Sequence, residues 1–373
     1  MSEEIAVDSM EYDVVIVGGG PSGLSTAIKL KQLAAENNSD LSVCLIEKGS
    51  EIGAHILSGN CFEPTALNEL IPDWKEKGAP LNTPAKKDIV KFFLTEKLSL
   101  GIPFASFFAP NFNNHGNYVM SLANFCRWLA TQAENLGVEI FPGFTAAEVI
   151  YENDTVKGIL TGEMGLTKEG EKKPSYQPPM ELRAKYTIFA EGCRGHLGKK
   201  LISKYALDAN SDPQHYGIGF KEVWDVPKEV HSEGTVMHSF GWPSKSNAGS
   251  YCYHGENNQV YLGIVVPLDY SNPHISPFDE FQQWKHHKDI KKLLENGTRV
   301  AYGARALTKG GYHSRPKMTF PGGILVGCDA GLMVFTKIKG THTAMKSGML
   351  AAESAFEAIS KNRIGEDLID FEE

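Results

Sequence analysis

The chain has no CxxC pair: Cys44, Cys61, Cys126, Cys193, Cys252 and Cys328 are scattered singly through 373 residues. That excludes an evident zinc or iron–sulfur site in this sequence and points to a reducing compartment. No run approaches the roughly 18 apolar residues that a membrane-spanning helix needs. The opening MSEEIAVDSMEYD shows neither the apolar stretch nor the Arg-rich pattern of a targeting segment. Excess positive charge is also missing. A formal net charge of −8 argues against nucleic acid as a partner. There is no internal repeat and no G-x-S-x-G elbow, and the histidines do not pair at metal spacings. The length is enough for two or three interleaved domains.

What is present begins with YDVVIVGGGPSGLSTAIKLKQLAAE, a buried strand over Val14–Val17, a glycine turn and a helix. Gly18, Gly20 and Gly23 fit G-x-G-x-x-G. The first glycine makes a tight turn, the second lets backbone approach a pyrophosphate, and the third allows close helix–strand packing. Pro21 and Ser22 start the helix whose free N–H groups would receive phosphate. A second strand, SVCLIEK, ends in Glu47, 24 residues after Gly23, where a carboxylate would take ribose hydroxyls. An adenine dinucleotide is therefore expected. The chain continues through Lys48 to Gly53 and His55, as a long cofactor would require. YTIFAEGCRG is another apolar strand, breaking at Ala190, Glu191 and Gly192, and GGILVGCDAGLM breaks around Asp329.

KIKGTHTAMKSG leads into the Ala-rich amphipathic run MLAAESAFEAI, which reads as a helix. Two lysines precede it, and a histidine and a lysine lie in its first turns. Helix N-termini already carry about half a positive charge and favour acids by roughly 0.3–1 kcal/mol each. Positive charge added there implies an anion that the protein itself does not supply.

The order of these blocks resembles the flavoproteins that include aromatic hydroxylases and geranylgeranyl reductases. The resemblance implies a ribityl chain at the turn bearing Asp329 and the final helix aimed at the N1–C2=O edge of a flavin. Gly340 would permit close approach, Thr341 and Thr343 would donate hydrogen bonds, and Arg127 would join the cofactor set. With one G-x-G-x-x-G and no sign of a second nucleotide domain, FAD is preferred to NAD. Longer blocks narrow the resemblance: IGAHILSGNCFEPTALNELIPDWKEKGAPLNTP, TIFAEGCRGHL, YGIGFKEVW, ARALTKGGYHSRPKMTFPGG and KIKGTHTAMKSGMLAAES. From about Tyr12 onward the chain resembles the electron transfer flavoprotein–ubiquinone oxidoreductase family.

That resemblance implies an α/β, Rossmann-like FAD-binding domain of glutathione-reductase/aromatic-hydroxylase type, with an inserted antiparallel β-sheet domain for quinone. The expected boundaries are 11–88, 119–205 and 308–373 for FAD, and 89–118 and 206–307 for quinone and membrane. It implies electron transfer flavoprotein and ubiquinone as partners. The family's [4Fe-4S] ligands, including a C-x2-C-x2-C run, have no counterpart here. The chain is thus expected to be either truncated or a flavin subunit working with a separate iron–sulfur protein. An asparagine expected near Val334 is also missing. The family's Gly-Gly quinone contact corresponds to Ala248 and Gly249.

FFLTEKLSLGIPFASFFAPNF (92–112) is the most apolar irregular stretch, broken by Pro103 and Pro110. It is expected to touch one membrane leaflet between Phe92 and Pro110. The implied location is peripheral or monotopic: the cytoplasmic face of a bacterial inner membrane, or the matrix side in mitochondria. The alternatives are a geranylgeranyl-reductase-like or monooxygenase-like enzyme, and an FAD-binding fragment that is inactive without its cluster partner. No catalytic side chain is expected. His55, His115 and His342, in glycine-flanked turns, would hydrogen-bond FAD or backbone. HGENNQ reads as a hairpin turn, 167–180 as a loop, and KHHKDIKKLLENG (285–297) as a solvated helix face.

Overall fold

The computed structural model describes residues 7–57, 59–103, 109–243 and 248–372. Strand β1 (Asp8–Val17), helix α1 (Pro21–Glu36) and strand β2 (Val43–Glu47) open the chain. A hairpin of β3 (Lys87–Phe93) and β4 (Ser99–Gly101) comes next. The chain then returns through α2 (Leu122–Asn135), β5 (Glu139–Pro142), β6 (Met180–Phe189) and α3 (His196–Lys204). Four longer strands follow: β7 (Tyr216–Asp225), β8 (Thr235–Gly241), β9 (Gly249–His254) and β10 (Gln259–Pro267). Helices α4 (Pro277–Lys285) and α5 (Lys288–Leu294) precede β11 (Thr298–Thr308). Strand β12 (Gly323–Leu325) and helix α6 (Thr341–Ser360) complete the nucleotide layer.

Strands β12, β6, β1, β2 and β5 lie side by side and parallel, an arrangement that needs helical crossovers. The run VVIV of β1 is buried on both faces, as a central parallel strand should be. Helices α1 and α6 pack together on this sheet. They approach so closely that a Cβ on Gly348 would stand 2.3 Å from the Ser22 carbonyl oxygen.

The second sheet has the order β11-β7-β10-β9-β8-β3-β4. The expectation of an antiparallel sheet needs one correction: β3 joins β8 in parallel, from Lys87↔Thr235 to Phe93↔Gly241. The reason lies in connectivity. Strand β3 comes from a distant segment, so no tight turn imposes its direction. One face of this sheet packs on α4 and α5 through Met237, Cys252, Phe281 and Trp284. The other packs through Val223, Val236, Tyr251 and Tyr253 on Cys61 and Val119, which belong to a small three-stranded sheet of Asn60–Phe62, Thr83–Pro84 and Tyr118–Met120. The hairpin at HGENNQ is present as the β9–β10 pair.

Three local readings change. Residues 167–180 are not all loop, because Met164–Leu166 pairs with Lys172–Gln177 as an antiparallel ribbon. The 285–297 stretch is not simply solvated. His287 is fully buried, stacks on Phe93 at 3.6 Å, and its Nδ1 accepts from the Asp289 N–H at the start of α5. The stretch from residue 92 is not wholly irregular: Phe92 and Phe93 end one strand, Ser99–Gly101 form its antiparallel partner, and Phe93 turns inward while its neighbours do not. Phe104, Phe107 and Phe108 lie outside the described residues.

Replacing Gly348 by Val forces α6 away from α1 and should cost about 2–3 kcal/mol, in the range of overpacked cores. Urea denaturation measures this directly; an unchanged midpoint would mean that the two helices do not depend on that contact.

Candidate functional site

The site is built where β1, β2, β6 and β12 all end. Gly18 has φ +112, and a Cβ there would lie 2.5 Å from the Ala190 carbonyl oxygen, so the turn accepts only glycine. Gly23 presses on the Gly18 carbonyl, whereas a Cβ on Gly20 would meet nothing within 4 Å. The approach to the start of α1 is therefore open. Helix α1 begins with Pro21, has no side-chain cap and carries no acid in its first turn, leaving its N–H groups for a phosphate.

Glu47 at the end of β2 accepts from Gly19 N–H at 2.9 Å and Gly49 N–H at 2.7 Å, which fixes its carboxylate beside the glycine turn. Gly53, at φ +85, presses against Ala123. His55 and Lys48 are exposed, and the His55 Nδ1 lies 4.0 Å from Glu47. Arg127 on α2 reaches the same loop by pairing with Glu51 at 2.8 Å.

Glu191 also has a structural task. It accepts from Leu197 and Gly198 N–H at 3.0 and 2.8 Å and so caps α3, whose own N-cap, Gly195, has no side chain to do so. Asp329 lies in the turn Gly327–Ala330, only 8% exposed, and its Oδ2 has no hydrogen-bond partner. Burial, with Glu191 second, raises its pKa well above the ordinary carboxylate value. A buried, unpartnered carboxyl oxygen calls for a hydroxyl donor. Together with the open approach at Gly20, this fits an elongated dinucleotide with a polyol chain.

At the far end, Gly340 is the N-cap of α6, again without a side-chain cap or an acid in the first turn. Thr341 Oγ1 accepts from Asn60 at 2.9 Å, and Thr343 Oγ1 donates to the Leu332 carbonyl. The lysines do not act as one cluster. Lys337 pairs with Glu63 at 3.3 Å and Lys346 with Glu69 at 2.5 Å. Lys339 is 5% exposed, donates to the Lys337 carbonyl, and burial lowers its pKa. Two of the charges that crowd this segment in the sequence are thus balanced by distant acids. Lys339 makes no ion pair among the described residues, although Glu63 and Asp88 act on it, and the helix terminus keeps its partial charge. His342 is pushed by burial toward its neutral form, and its Nδ1 has no partner.

On the second sheet, Ala248 is buried. Gly249 opens β9 in register with Phe240 and Val265. Phe112 touches both Phe240 and His238, and His238 Nε2 lies 2.8 Å from the Tyr253 hydroxyl. Burial lowers the His238 pKa to about 3, so the ring is neutral. Sequence reasoning passed over Lys221, His238, Tyr251, Tyr253 and Arg305. The signal was the period-2 placement of polar and aromatic residues on the covered face of the sheet.

Residues 16–66 match the family description "NAD(P)-binding Rossmann-like domain". In fold the chain is similar to a geranylgeranyl bacteriochlorophyll reductase-like protein of Thermoplasma acidophilum, with a TM-score of 0.71 at 20% identity over 98% of this chain and 83% of that one. It is also similar to the flavin-dependent brominase Bmp2, at 0.63 and 18% over 96% and 81%. The fold is that of the FAD-dependent oxidoreductases.

Residues 216–307, most of the second sheet, match "ETF-QO, ubiquinone-binding". Electron transfer flavoprotein-ubiquinone oxidoreductase of Pseudomonas aeruginosa is 60% identical over 96% of this chain and 66% of the relative. The human mitochondrial protein of the same name is 53% identical over 95% and 58%. The chain belongs to the electron transfer flavoprotein–ubiquinone oxidoreductase family, and it spans 58–66% of the length of these relatives.

Because folding raises the Asp329 pKa, its ionisation opposes folding. The cofactor-free protein should lose stability as pH rises from the unfolded value, about 3.9, through the raised folded value. Asp329→Asn should remove that dependence and raise the neutral-pH stability of the cofactor-free chain by roughly 1–2 kcal/mol. It should also weaken FAD binding. Calorimetry from pH 4 to 8 reads the first effect; parallel pH profiles for both proteins would contradict it.

Proposed function

We propose that the chain is a flavin-dependent electron carrier that accepts electrons from reduced electron transfer flavoprotein and delivers them to ubiquinone at a membrane surface. The observation that carries this reading is the joining of two features. The segment matching the ubiquinone-binding description forms a sheet, and that sheet reaches the loops of the nucleotide layer, Arg305 donating to the His55 carbonyl and lying beside Gly192.

FAD, when bound, takes up electrons singly or in pairs and releases them either way. The chain's own residues bind, orient and exclude water. In this reading Gly18, Gly20, Pro21, Ser22 and Gly23 cradle the pyrophosphate. Glu47, Lys48, Gly53, His55 and Arg127 border the adenosine side, with Ala190, Glu191, Gly192 and Asp329 along the polyol chain. The N–H groups after Gly340 and the Thr341 hydroxyl face the ring edge. The FAD part comprises 11–88, 119–205 and 308–373, and the quinone part 89–118 and 206–307. Ala248 and Gly249 contact the quinone head. Among the described residues no His/Cys/Asp/Glu group could hold a metal ion, so a cluster would be carried outside them, on a separate iron–sulfur protein or on further chain.

The membrane contact is assigned to the β3–β4 hairpin. Phe92, Leu94, Leu98, Leu100 and Ile102 are 42–54% exposed there, and burying apolar surface yields about 25 cal/mol per Å2. No helix among the described residues is long and apolar enough to cross a membrane. Shallow insertion needs none.

FAD-loaded protein, reduced chemically without oxygen, is expected to be reoxidised by a short-chain ubiquinone; flavin that stays reduced in excess quinone contradicts the assignment. A Cβ at Gly249 would meet Phe240 at 3.5 Å, an ordinary contact, so Gly249→Ala should fold normally. It should raise the quinone KM several-fold and leave the flavin potential unchanged. The double change Leu98→Asp, Leu100→Asp should abolish flotation with phospholipid vesicles while FAD content stays full; retained flotation would remove this hairpin from the membrane contact.

A further inference from the structure

Strand β7 alternates Gly217, Gly219, Lys221 and Val223 along one face, and Val223 packs on Cys61 and Val119. Lys221 therefore points the same way. Across the sheet the register puts Gly303, Lys221, Gly263, Tyr251 and His238 in a single row. Lys221 is thus flanked on both sides by glycine, and side chains from elsewhere, Leu57 over Gly303 and Tyr251 over Gly263, fill the space. The Tyr251 hydroxyl extends over Gly263 toward it; a Cβ on Gly263 would be 2.7 Å from that oxygen. The hydroxyl is buried and has no hydrogen-bond partner.

Arg305 on β11 is opposite Gly219, hence diagonal to Lys221, within reach of two long side chains. Its Nη1 donates to the His55 carbonyl at 3.0 Å, and its Nη2 lies 3.1 Å from where a Cβ on Gly192 would be. The guanidinium thus lies between the loop after β2 and the turn after β6. Cys328, beside Asp329, feels both cations, as does Cys193 the arginine. Among the described residues neither Lys221 nor Arg305 has a carboxylate within ion-pair distance. Burial first and Arg305 second lower the Lys221 pKa. Two cations, Arg305 exposed and Lys221 half-buried, and a spare phenol donor thus border three loops around the nucleotide site, where a ligand's negative charge would offset their mutual repulsion.

We propose that Lys221 and Arg305, with the Tyr251 hydroxyl as a third donor, form a cation clamp that closes over the negative charge of the bound dinucleotide from the sheet side. This rests on the flavin reading above and adds residues outside the glycine motif and outside α6. The anion is either the pyrophosphate, whose charge does not change on reduction, or the ring edge, which gains charge.

The full chain is tested as Lys221→Met, Arg305→Met and Tyr251→Phe, with Lys221→Arg as the charge-keeping control. Two readouts are the FAD dissociation constant of the oxidised protein and the midpoint potential of bound FAD. Equal weakening of oxidised and reduced FAD, tenfold or more for each methionine variant, supports the clamp and assigns it to the pyrophosphate. A further tenfold loss confined to reduced FAD, about 30 mV lower for a two-electron couple, assigns it to the ring. Lys221→Arg should stay within a few-fold of wild type in both cases. Methionine variants with wild-type melting curves and both readouts within twofold of wild type would overturn the clamp. Wild-type protein that takes up no FAD would instead sink the flavin reading, and the clamp with it.

Discussion

Two helices of the nucleotide layer begin without acids or side-chain caps, and backbone contact holds the start of α1 against α6 at Gly348, eight residues into that helix. Gly348 of α6 lies on the Ser22 carbonyl, and Gly327 presses its neighbouring turn onto the Ser22 hydroxyl. In the proposed reading the N–H groups of both helix starts face one elongated ligand. Each terminus has its own partial positive charge and unsatisfied donors. An anionic ligand long enough to reach both resolves a strain that the chain leaves in place. The turn bearing Asp329 lies between them, short of a hydrogen-bond donor.

The second sheet depends on this arrangement. Its outer face is closed by α4 and α5 through Phe281 and Trp284, so only the inner face can serve a ligand. There it presents tyrosines, a neutral histidine and a lysine set between glycines, in place of the aliphatic packing of an ordinary core. A redox cofactor needs such a wall more than it needs acid–base groups, because the protein's contribution is potential, distance and access. The apolar β3–β4 hairpin belongs to the same sheet, so in the proposed reading the quinone site and the membrane contact share one sheet.

Much of this was legible in the sequence. The glycine fingerprint, Glu47 at the end of β2 and the start of the last helix at Gly340 all follow from strict local rules of spacing and backbone conformation. Other features depend on residues far apart in the chain. Glu63 and Glu69 neutralise Lys337 and Lys346 across more than two hundred residues, so a cluster of charge in sequence became two separate ion pairs. Glu191 followed from its place after a strand, but that one of its oxygens also caps α3 depends on the missing side chain at Gly195. His287 looked solvated among lysines, yet the fold turns it onto Phe93. The parallel joining of β3 to β8 has no local signature, because Lys87–Phe93 and Thr235–Gly241 lie far apart in the chain.

The central claim is that positive potential at the start of α6 bears on the ring of bound FAD and favours its reduced, negatively charged form. The midpoint potential of FAD in the wild-type protein, measured against free FAD in the same buffer, tests this most directly. The account predicts a more positive value for the bound cofactor. A value equal to that of free FAD, or below it, would contradict it.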